Sequence, residues 1–376
     1  MKYRTFPKTG EQISLLGFGC MRLPETGGEN PRIDEEEAIR MIRYAIDNGV
    51  NYVDTAYMYH DGKSEVVVGK ALKDGYREKV LLADKLPVVF IKEEADQQKF
   101  LDEQLRRLEV STIDMYLVHN INEAYWEKVK KYDTLRFMKE KQEEGIVKHV
   151  GFSFHGETPE FFREVTDAFP WDFCQIQLNY MDTELQAGVE GLKYAGSKGI
   201  PVIVMEPLKG GKLTDVLPAS VRAYWDGIAE KRTPADWALK WVANFPEVLT
   251  ILSGMSNFEQ TKENIRILSD ADANALTQEE LDVIERVAAE YNKLIPYSCT
   301  VCKYCMPCPV QLDIPYLISL RNEATIFESP EKISETVKSF VRPLPSTCIA
   351  CKQCEEKCPQ HLPISDIMAE SARMFE

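Results

Sequence analysis

Eight of the ten cysteines fall between Cys299 and Cys358. No other feature of this 376-residue chain limits its folding so sharply. The first group reads Cys299-x2-Cys302-x2-Cys305-x2-Cys308-Pro309, and the second Cys348-x2-Cys351-x2-Cys354-x3-Cys358-Pro359. Thiols this dense serve disulfides, zinc or iron–sulfur clusters. Disulfides need an oxidising compartment, and Met1 to Gly10 lacks the apolar run of an export signal. Structural zinc takes four ligands from paired knuckles with a spacer, which two tandem runs of four fit poorly. Three thiolates at x2 spacing suit one face of an iron–sulfur cubane.

The second group resembles the bacterial ferredoxin run, whose fourth cysteine, followed by proline, ligates the other cluster of a pair. On that pattern Cys299, Cys302, Cys305 and Cys358 hold one [4Fe–4S] cluster, and Cys348, Cys351, Cys354 and Cys308 hold the second. The first group lacks one residue before Cys308, so a single cluster is the fallback. Residues 314–321 and 331–340 have helical character, broken by Pro309, Pro315, Pro330, Pro343 and Pro345. Residues 286–376 are expected to form a mainly helical, ferredoxin-like iron–sulfur domain.

Residues 1–285 alternate short apolar runs with longer amphipathic segments. The runs are 15–19, 51–54, 80–85, 113–119, 147–153, 174–178, 201–205 and 248–252. Continuous apolar runs suit parallel strands buried on both faces. Helical patterns between them include 35–48, 93–108, 125–144 and 157–168. Gly49 and Gly145 follow two of these as left-handed stops. Eight strand–helix units predict an α/β fold, a (β/α)8 TIM barrel over 1–285. An open doubly wound sheet competes, but Gly17-Phe18-Gly19-Cys20-Met21-Arg22 lacks the third glycine of its dinucleotide turn. Residues 2–14 read as a hairpin before the barrel, and 277–293 as a helix leading to the tail.

The formal charge of −15 argues against nucleic acid or an anionic membrane, since both need a basic face. No apolar run reaches the roughly 20 residues of a membrane span. A cytoplasmic location is expected.

A barrel's chemistry sits where its strands end. Strand two ends in Asp54-Thr55-Ala56-Tyr57-Met58-Tyr59, strand three in Asp84-Lys85 and strand four in His119-Asn120. Each alone reads as a solvated or structural residue. Together they form a proton-donating set. An ammonium beside a phenol favours phenolate and lowers its pKa. Asp holds the Lys, and His polarises a carbonyl or relays the proton. Reducing a carbonyl needs hydride to carbon and a proton to oxygen.

The chain here resembles the aldo-keto reductase family over about residues 1–285. The resemblance rests on Gly17-Phe18-Gly19, the D-T-A-x-x-Y turn from Asp54 to Tyr59, Lys85, Asp114-Met115-Tyr116-Leu117-Val118-His119, Gly151-Phe152-Ser153 and Gln175-Ile176-Gln177. Gly254-Met255-Ser256-Asn257-Phe258-Glu259-Gln260 with Glu263-Asn264 completes it. It implies a catalytic tetrad of Asp54, Tyr59, Lys85 and His119, with Tyr59 rather than Tyr57 as general acid. With the tail, the chain looks like the subgroup of reductases with a C-terminal ferredoxin module.

The resemblance also implies a nicotinamide cofactor across the barrel mouth. Ser153 and Gln175 then hold its carboxamide, and Met205 covers the ring where the family often has an aromatic. Phe154-His155 replaces the family's usual Asn after Ser153. Gly19, Cys20 and Met21 flank the cofactor. Pro207 to Lys212 offers backbone N–H groups, Lys209 and Lys212 for a pyrophosphate. Gly254, Ser256, Gln260 and Asn264 meet the adenosine end. Gln260 stands near the arginine that NADP-binding members use, with Lys262 and Arg266 further along. NADP is the family expectation and NAD the alternative.

Nicotinamide moves two electrons together, while an iron–sulfur cluster passes one. The first reading is a reductase of a small-molecule carbonyl, with clusters that are structural or serve a redox partner protein. A flavin- or ferredoxin-coupled electron-transfer enzyme is the second. A non-enzymatic redox sensor is the third. Rim loops 21–32, 120–133 and 209–232 are expected to set specificity. Tyr125, Trp126, Tyr224 and Trp225 are candidates for a pocket or for the core.

Overall fold

A computed structural model describes residues 1–27, 32–214, 217–228, 232–299 and 302–376. Tyr3–Thr5 (β1) and Gln12–Ser14 (β2) pair antiparallel as the expected hairpin. Eight parallel strands then close a barrel: Leu16–Gly19 (β3), Tyr52–Asp54 (β4), Leu81–Leu86 (β5), Ile113–Ile121 (β6), Val147–Phe154 (β7), Phe173–Gln177 (β8), Val202–Met205 (β9) and Val248–Ser253 (β10). β10 pairs with both β9 and β3.

Inward side chains fill the cylinder. Tyr52, Ala83, Met115, Leu117, Phe173, Ile203 and Leu249 share one buried cluster with Phe6 and Ile13 of the hairpin segment. Burying each large apolar side chain stabilises the fold by about 1.5–3 kcal/mol. The hairpin segment packs on the side from which the strands start. The polar strand ends, Asp54, Lys85, His119 and Ser153, gather at the opposite mouth, as barrel chemistry requires.

The helices follow the amphipathic segments, with informative differences. The expected helix over 125–144 is two, Glu123–Lys131 and Thr134–Glu143. Asp133, at φ 50°, turns the chain between them with neither Gly nor Pro to signal it. The helix expected from 93 begins at Asp96, whose carboxylate accepts the N–H groups of Lys92 and Glu93 in the preceding turn. Gly49 and Gly145 adopt φ 91° and 75° after their helices.

The chain divides into two compact units, Met1–Gly210 with Arg232–Leu281 and Gly211–Lys231 with Asp282–Glu376. The second contains the helices Ile314–Ile326, Pro330–Phe340, Gln353–Lys357 and Ile364–Phe375. Leu317, Ile318, Val337, Ile367, Met368 and Phe375 form its core. Asp313 starts the first of these helices by accepting the Tyr316 N–H, with Pro315 in the first turn, where no N–H is missed. Among the described residues no helix is long and apolar enough to cross a membrane.

Candidate active site and cysteine cavities

β4 and β5 lie side by side, with Asp54 paired to Ala83, so the ends of the two strands meet. Lys85 Nζ donates to Asp54 Oδ1 and to the Thr55 carbonyl, each at 2.7 Å. It also reaches the Tyr59 hydroxyl at 3.4 Å. Tyr59 and His119 meet edge to face, with ring centroids 6.2 Å apart. The structure thus brings together all four residues of the expected tetrad. Tyr57 is turned elsewhere, donating to Glu103 under the Arg107 guanidinium.

The electrostatics differ from expectation at the phenol. Burial pushes the Tyr59 phenol above its ordinary range; Lys85 pulls it back, and Asp54 adds to the rise. Desolvation outweighs the ammonium, so Tyr59 keeps its proton. Burial works against a charged Lys85, but Asp54 and Tyr59 outweigh it and hold the ammonium above its usual range. Burial and the Lys85 charge hold His119 well below the usual histidine range, so its imidazole is neutral. His155 is pushed down to about 4, mainly by burial, with Lys85 adding and Glu206 opposing.

A pair of carboxylates lies close to Lys85. Asp84 and Glu65 are fully buried neighbours, and Asp84 Oδ2 and Glu65 Oε1 each lack a donor. Arg107 Nη1 donates to Glu65 Oε2 at 2.7 Å, and the Lys85 N–H to Asp84 Oδ1 at 2.8 Å. Two carboxylates can satisfy one another there only if one of them carries a proton. Burial and the Glu65 charge raise Asp84 well above the carboxylate range, which puts that proton on Asp84.

The proposed cofactor residues line up as follows. Ser153 and Gln175 are buried on the paired strands β7 and β8. Ser153 Oγ accepts the Asn120 N–H at 2.8 Å. Gln175 Nε2 lies 3.4 Å from Met205 Sδ, and its buried Oε1 has no partner. A buried amide oxygen without a donor is costly, and a primary carboxamide would supply the missing N–H, so these residues fit a nicotinamide. Gly19 and Pro207 are buried and Met21 is exposed. Cys20 is sealed, and burial raises its thiol. In this conformation only its backbone can serve a ligand, and it is no reactive thiolate.

At the adenosine end, Gln260 Oε1 accepts the Ser256 N–H at 2.9 Å, and Asn264 Nδ2 donates to Ser253 Oγ at 2.9 Å. Asn257 caps the helix Phe258–Leu268. Lys262 pairs with Glu259 and Arg266 with Asp236. Lys209 Nζ is held by both Asp182 oxygens, at 2.9 and 2.6 Å, and Lys212 pairs with Glu323. The two ammoniums expected to serve a pyrophosphate are therefore engaged by carboxylates.

Arg22 and Glu206 were not singled out by the sequence, although each adjoins a named residue. Arg22 Nη2 donates to Glu206 Oε1 at 2.7 Å. Charged residues directly after barrel strands were the available signal. Trp126 and Trp225 are buried, so these two candidates belong to the core. Residues 28–31, 215–216 and 229–231 of the expected rim loops lie outside the described residues.

In the second unit none of the cysteines is in a disulfide. Cys299, Cys302, Cys305 and Cys358 line one small cavity, with Pro315, Ile318 and Ile364. Cys308, Cys348, Cys351 and Cys354 line another, with Leu312, Ile314 and Met368. Among the described residues no three His, Cys, Asp or Glu side chains are grouped to hold one metal ion.

Comparison with known proteins agrees with this geometry. Residues 15–289 match the aldo/keto reductase family, and residues 298–362 match a 4Fe-4S dicluster domain. A probable aldo-keto reductase 1 from Glycine max is 29% identical over 69% of this chain and 82% of its own length. The NADH-specific methylglyoxal reductase of Escherichia coli is 27% identical over 76% of this chain and 100% of its own. The holo form of aldo-keto reductase AKR11C1 from Bacillus halodurans superposes with a TM-score of 0.63 at 26% identity, covering 76% of this chain and 96% of its own. An aldo/keto reductase from Klebsiella pneumoniae in complex with NADP and acetate gives 0.60 at 25% identity, covering 77% and 96%. The chain belongs to the aldo/keto reductase family and carries a 4Fe-4S domain after its barrel.

Proposed function

We propose that this protein reduces the carbonyl of a small aldehyde or ketone with NADH or NADPH, using Tyr59 as proton donor. The supporting observation is the line from Asp54 through Lys85 to Tyr59, with His119 beside the phenol. When bound, the nicotinamide supplies a hydride to the carbonyl carbon. Tyr59 gives its proton to the carbonyl oxygen as charge develops there. Lys85 faces the phenolate this leaves, and Asp54 keeps Lys85 in place. Neutral His119 offers one N–H to the same oxygen. A positioned acid of this kind contributes about 10²–10⁴ in rate.

Ser153 and Gln175 orient the carboxamide, with the open Gln175 Oε1 as its acceptor. Either dinucleotide suits the mouth. The basic side chains near the start of the last barrel helix are paired with carboxylates, and Gln260 stands near the position where NADP-binding members use arginine, so a 2′-phosphate finds little attraction.

The tail binds two [4Fe–4S] clusters in this reading, one in each cysteine-lined cavity. Six of the eight thiols pack against the tail's apolar core, so bound clusters would tie the two cysteine runs to that core. Cys302 and Cys351 are exposed, which leaves each cluster an edge for one-electron exchange with a partner protein. Iron ligation by free thiolates fits a reducing, cytoplasmic setting.

Anaerobically purified protein is expected to oxidise NADH or NADPH with a panel of small aldehydes and ketones. Oxidation of neither nucleotide overturns the reading. A yellow, fluorescent cofactor released on denaturation supports the flavin-coupled alternative instead.

A further inference from the structure

The 3.4 Å between the Tyr59 hydroxyl and Lys85 Nζ joins two different elements. Lys85 lies within β5. Tyr59 opens a turn in which His60, Asp61 and Gly62 adopt φ 49°, 55° and 80° before the helix Lys63–Ala71 begins. A left-handed non-glycine residue costs about 1–3 kcal/mol and persists only where its surroundings hold it. The turn that carries the phenol therefore needs an outside support.

That support comes from the helix Asp96–Leu108. Arg107 Nη1 donates to the Tyr57 carbonyl at 3.1 Å and to Glu65 Oε2 at 2.7 Å, so one guanidinium grips the chain on both sides of the turn. Its Nη2 is held in turn by Glu103 Oε1 at 2.6 Å. A Cβ built on Gly62 would come within 2.8 Å of Arg107 Nη1, so the guanidinium lies directly on the turn. Tyr57 anchors the start of the same turn: its ring lies under the guanidinium, 4.3 Å from centroid to Cζ, and its hydroxyl donates to Glu103.

One helical turn before Arg107, Gln104 Nε2 donates to the Lys85 carbonyl at 2.9 Å, and Gln104 Oε1 accepts the Tyr116 hydroxyl at 2.7 Å. Residues three apart share one face of a helix. A single face thus holds the Tyr59 turn through Arg107 and the Lys85 backbone through Gln104. Gln104 and Glu65 are sealed from water, and the Arg107 side chain is 15% exposed, so these hydrogen bonds are stronger than they would be in solvent. The grips on the turn and on Lys85 itself are to backbone carbonyls, so they give the reaction neither charge nor proton.

We propose that Gln104 and Arg107 are positioning residues for carbonyl reduction, which set the separation of the Tyr59 phenol and the Lys85 ammonium from one face of one helix. The assignment rests on the reductase reading above. Both side chains act through the Tyr59–Lys85 pair, so their effect on rate disappears once the phenol is gone.

The test is a pair of double-mutant cycles in the full-length holoprotein. Arg107→Lys keeps a cation beside Glu65 and gives up the fork. Gln104→Met keeps the side chain's length and gives up both hydrogen bonds. Each is made in wild type and in Tyr59→Phe, with 4-nitrobenzaldehyde as the probe carbonyl and NADPH as the reductant. Fluorescence titration counts NADPH-binding sites per chain, and kcat is expressed per site. Each substitution is expected to lower kcat about ten- to a hundredfold, the range for a reacting group displaced by about 1 Å. Affinity for NADPH is expected to stay within about twofold of wild type, and the same substitutions in Tyr59→Phe are expected to cost less than about twofold. An unchanged kcat in either variant, beside a wild type that slows in Tyr59→Phe, overturns the role of that residue alone. An equal loss with and without the phenol overturns the assignment, as does a loss fully accounted for by missing NADPH sites, since general loosening of the fold produces both. A wild type that turns over neither 4-nitrobenzaldehyde nor any other carbonyl of the panel overturns the reductase reading and this assignment together.

Discussion

Lys85 Nζ lies 2.7 Å from Asp54 Oδ1, and both side chains are sealed from water. A buried ion pair is stable only while both partners are present. Lys85→Met is therefore expected to strand the Asp54 charge and destabilise the fold by about 3–5 kcal/mol. The double variant Asp54→Asn/Lys85→Met is expected to recover much of that loss while staying inactive. Chemical denaturation of the single and double variants measures it. Equal stability of wild type and Lys85→Met would show that the pair is solvated.

Tyr59→Phe removes the phenolic proton and little else. Turnover of a carbonyl substrate is expected to fall about 10²- to 10⁴-fold. Dinucleotide affinity is expected to hold, because no carboxamide contact is lost. Steady-state kinetics beside fluorescence titration separates the two. An unchanged turnover number would remove Tyr59 as the acid.

The proton shared by Asp84 and Glu65 has a stability signature. Asp84 is raised in the folded protein, so above about pH 4 the unfolded chain releases a proton that the native state keeps. Its contribution is fully present below that pH and is lost as pH rises toward the folded value. Asp84→Asn keeps one acceptor and one donor without needing a proton. The variant is expected to gain on wild type steadily as pH increases from about 4 to 8. Parallel melting temperatures across that window would contradict the shared proton.

Gln260→Arg puts a guanidinium near the position where the resemblance implies the arginine of NADP-binding members. It is expected to tighten NADPH binding about tenfold or more and to leave NADH unchanged, since only NADPH has the 2′-phosphate. Equal gains for both nucleotides would place position 260 elsewhere along the cofactor.

Iron content tests how the cysteines are shared. Wild type is expected to hold about eight iron atoms per chain. Cys299→Ala/Cys358→Ala touches one cavity and is expected to leave about four. Cys348→Ala/Cys358→Ala touches both and is expected to leave almost none. The reverse order of losses would mean that each tandem run serves its own cluster.

Much of this was legible because burial writes itself into sequence. Strands covered on both faces read as unbroken apolar runs, and all eight lie where those runs predict. Asp54, Lys85 and His119 stand out because each is polar at or near the end of such a run. What escaped depends on partners far apart in the chain. Arg22 and Glu206 read as ordinary charged loop residues until the closed barrel sets them 2.7 Å apart. Asp84 acquires its proton only because Glu65 packs against it. The acidity of Tyr59 was misjudged for the same reason: the helpful ammonium is visible in sequence, but the water lost around the phenol is not. Lys131-Tyr132-Asp133 contains no residue whose covalent structure announces a helix break.

Each cysteine-lined cavity draws walls from both ends of the tail, three from one run and one from the other. The segment therefore behaves as a doubly laced loop, in which neither lacing can be undone without slackening its twin. Trimming the last twenty residues, which carry Cys358, Ile364 and Met368, would open both chambers at once.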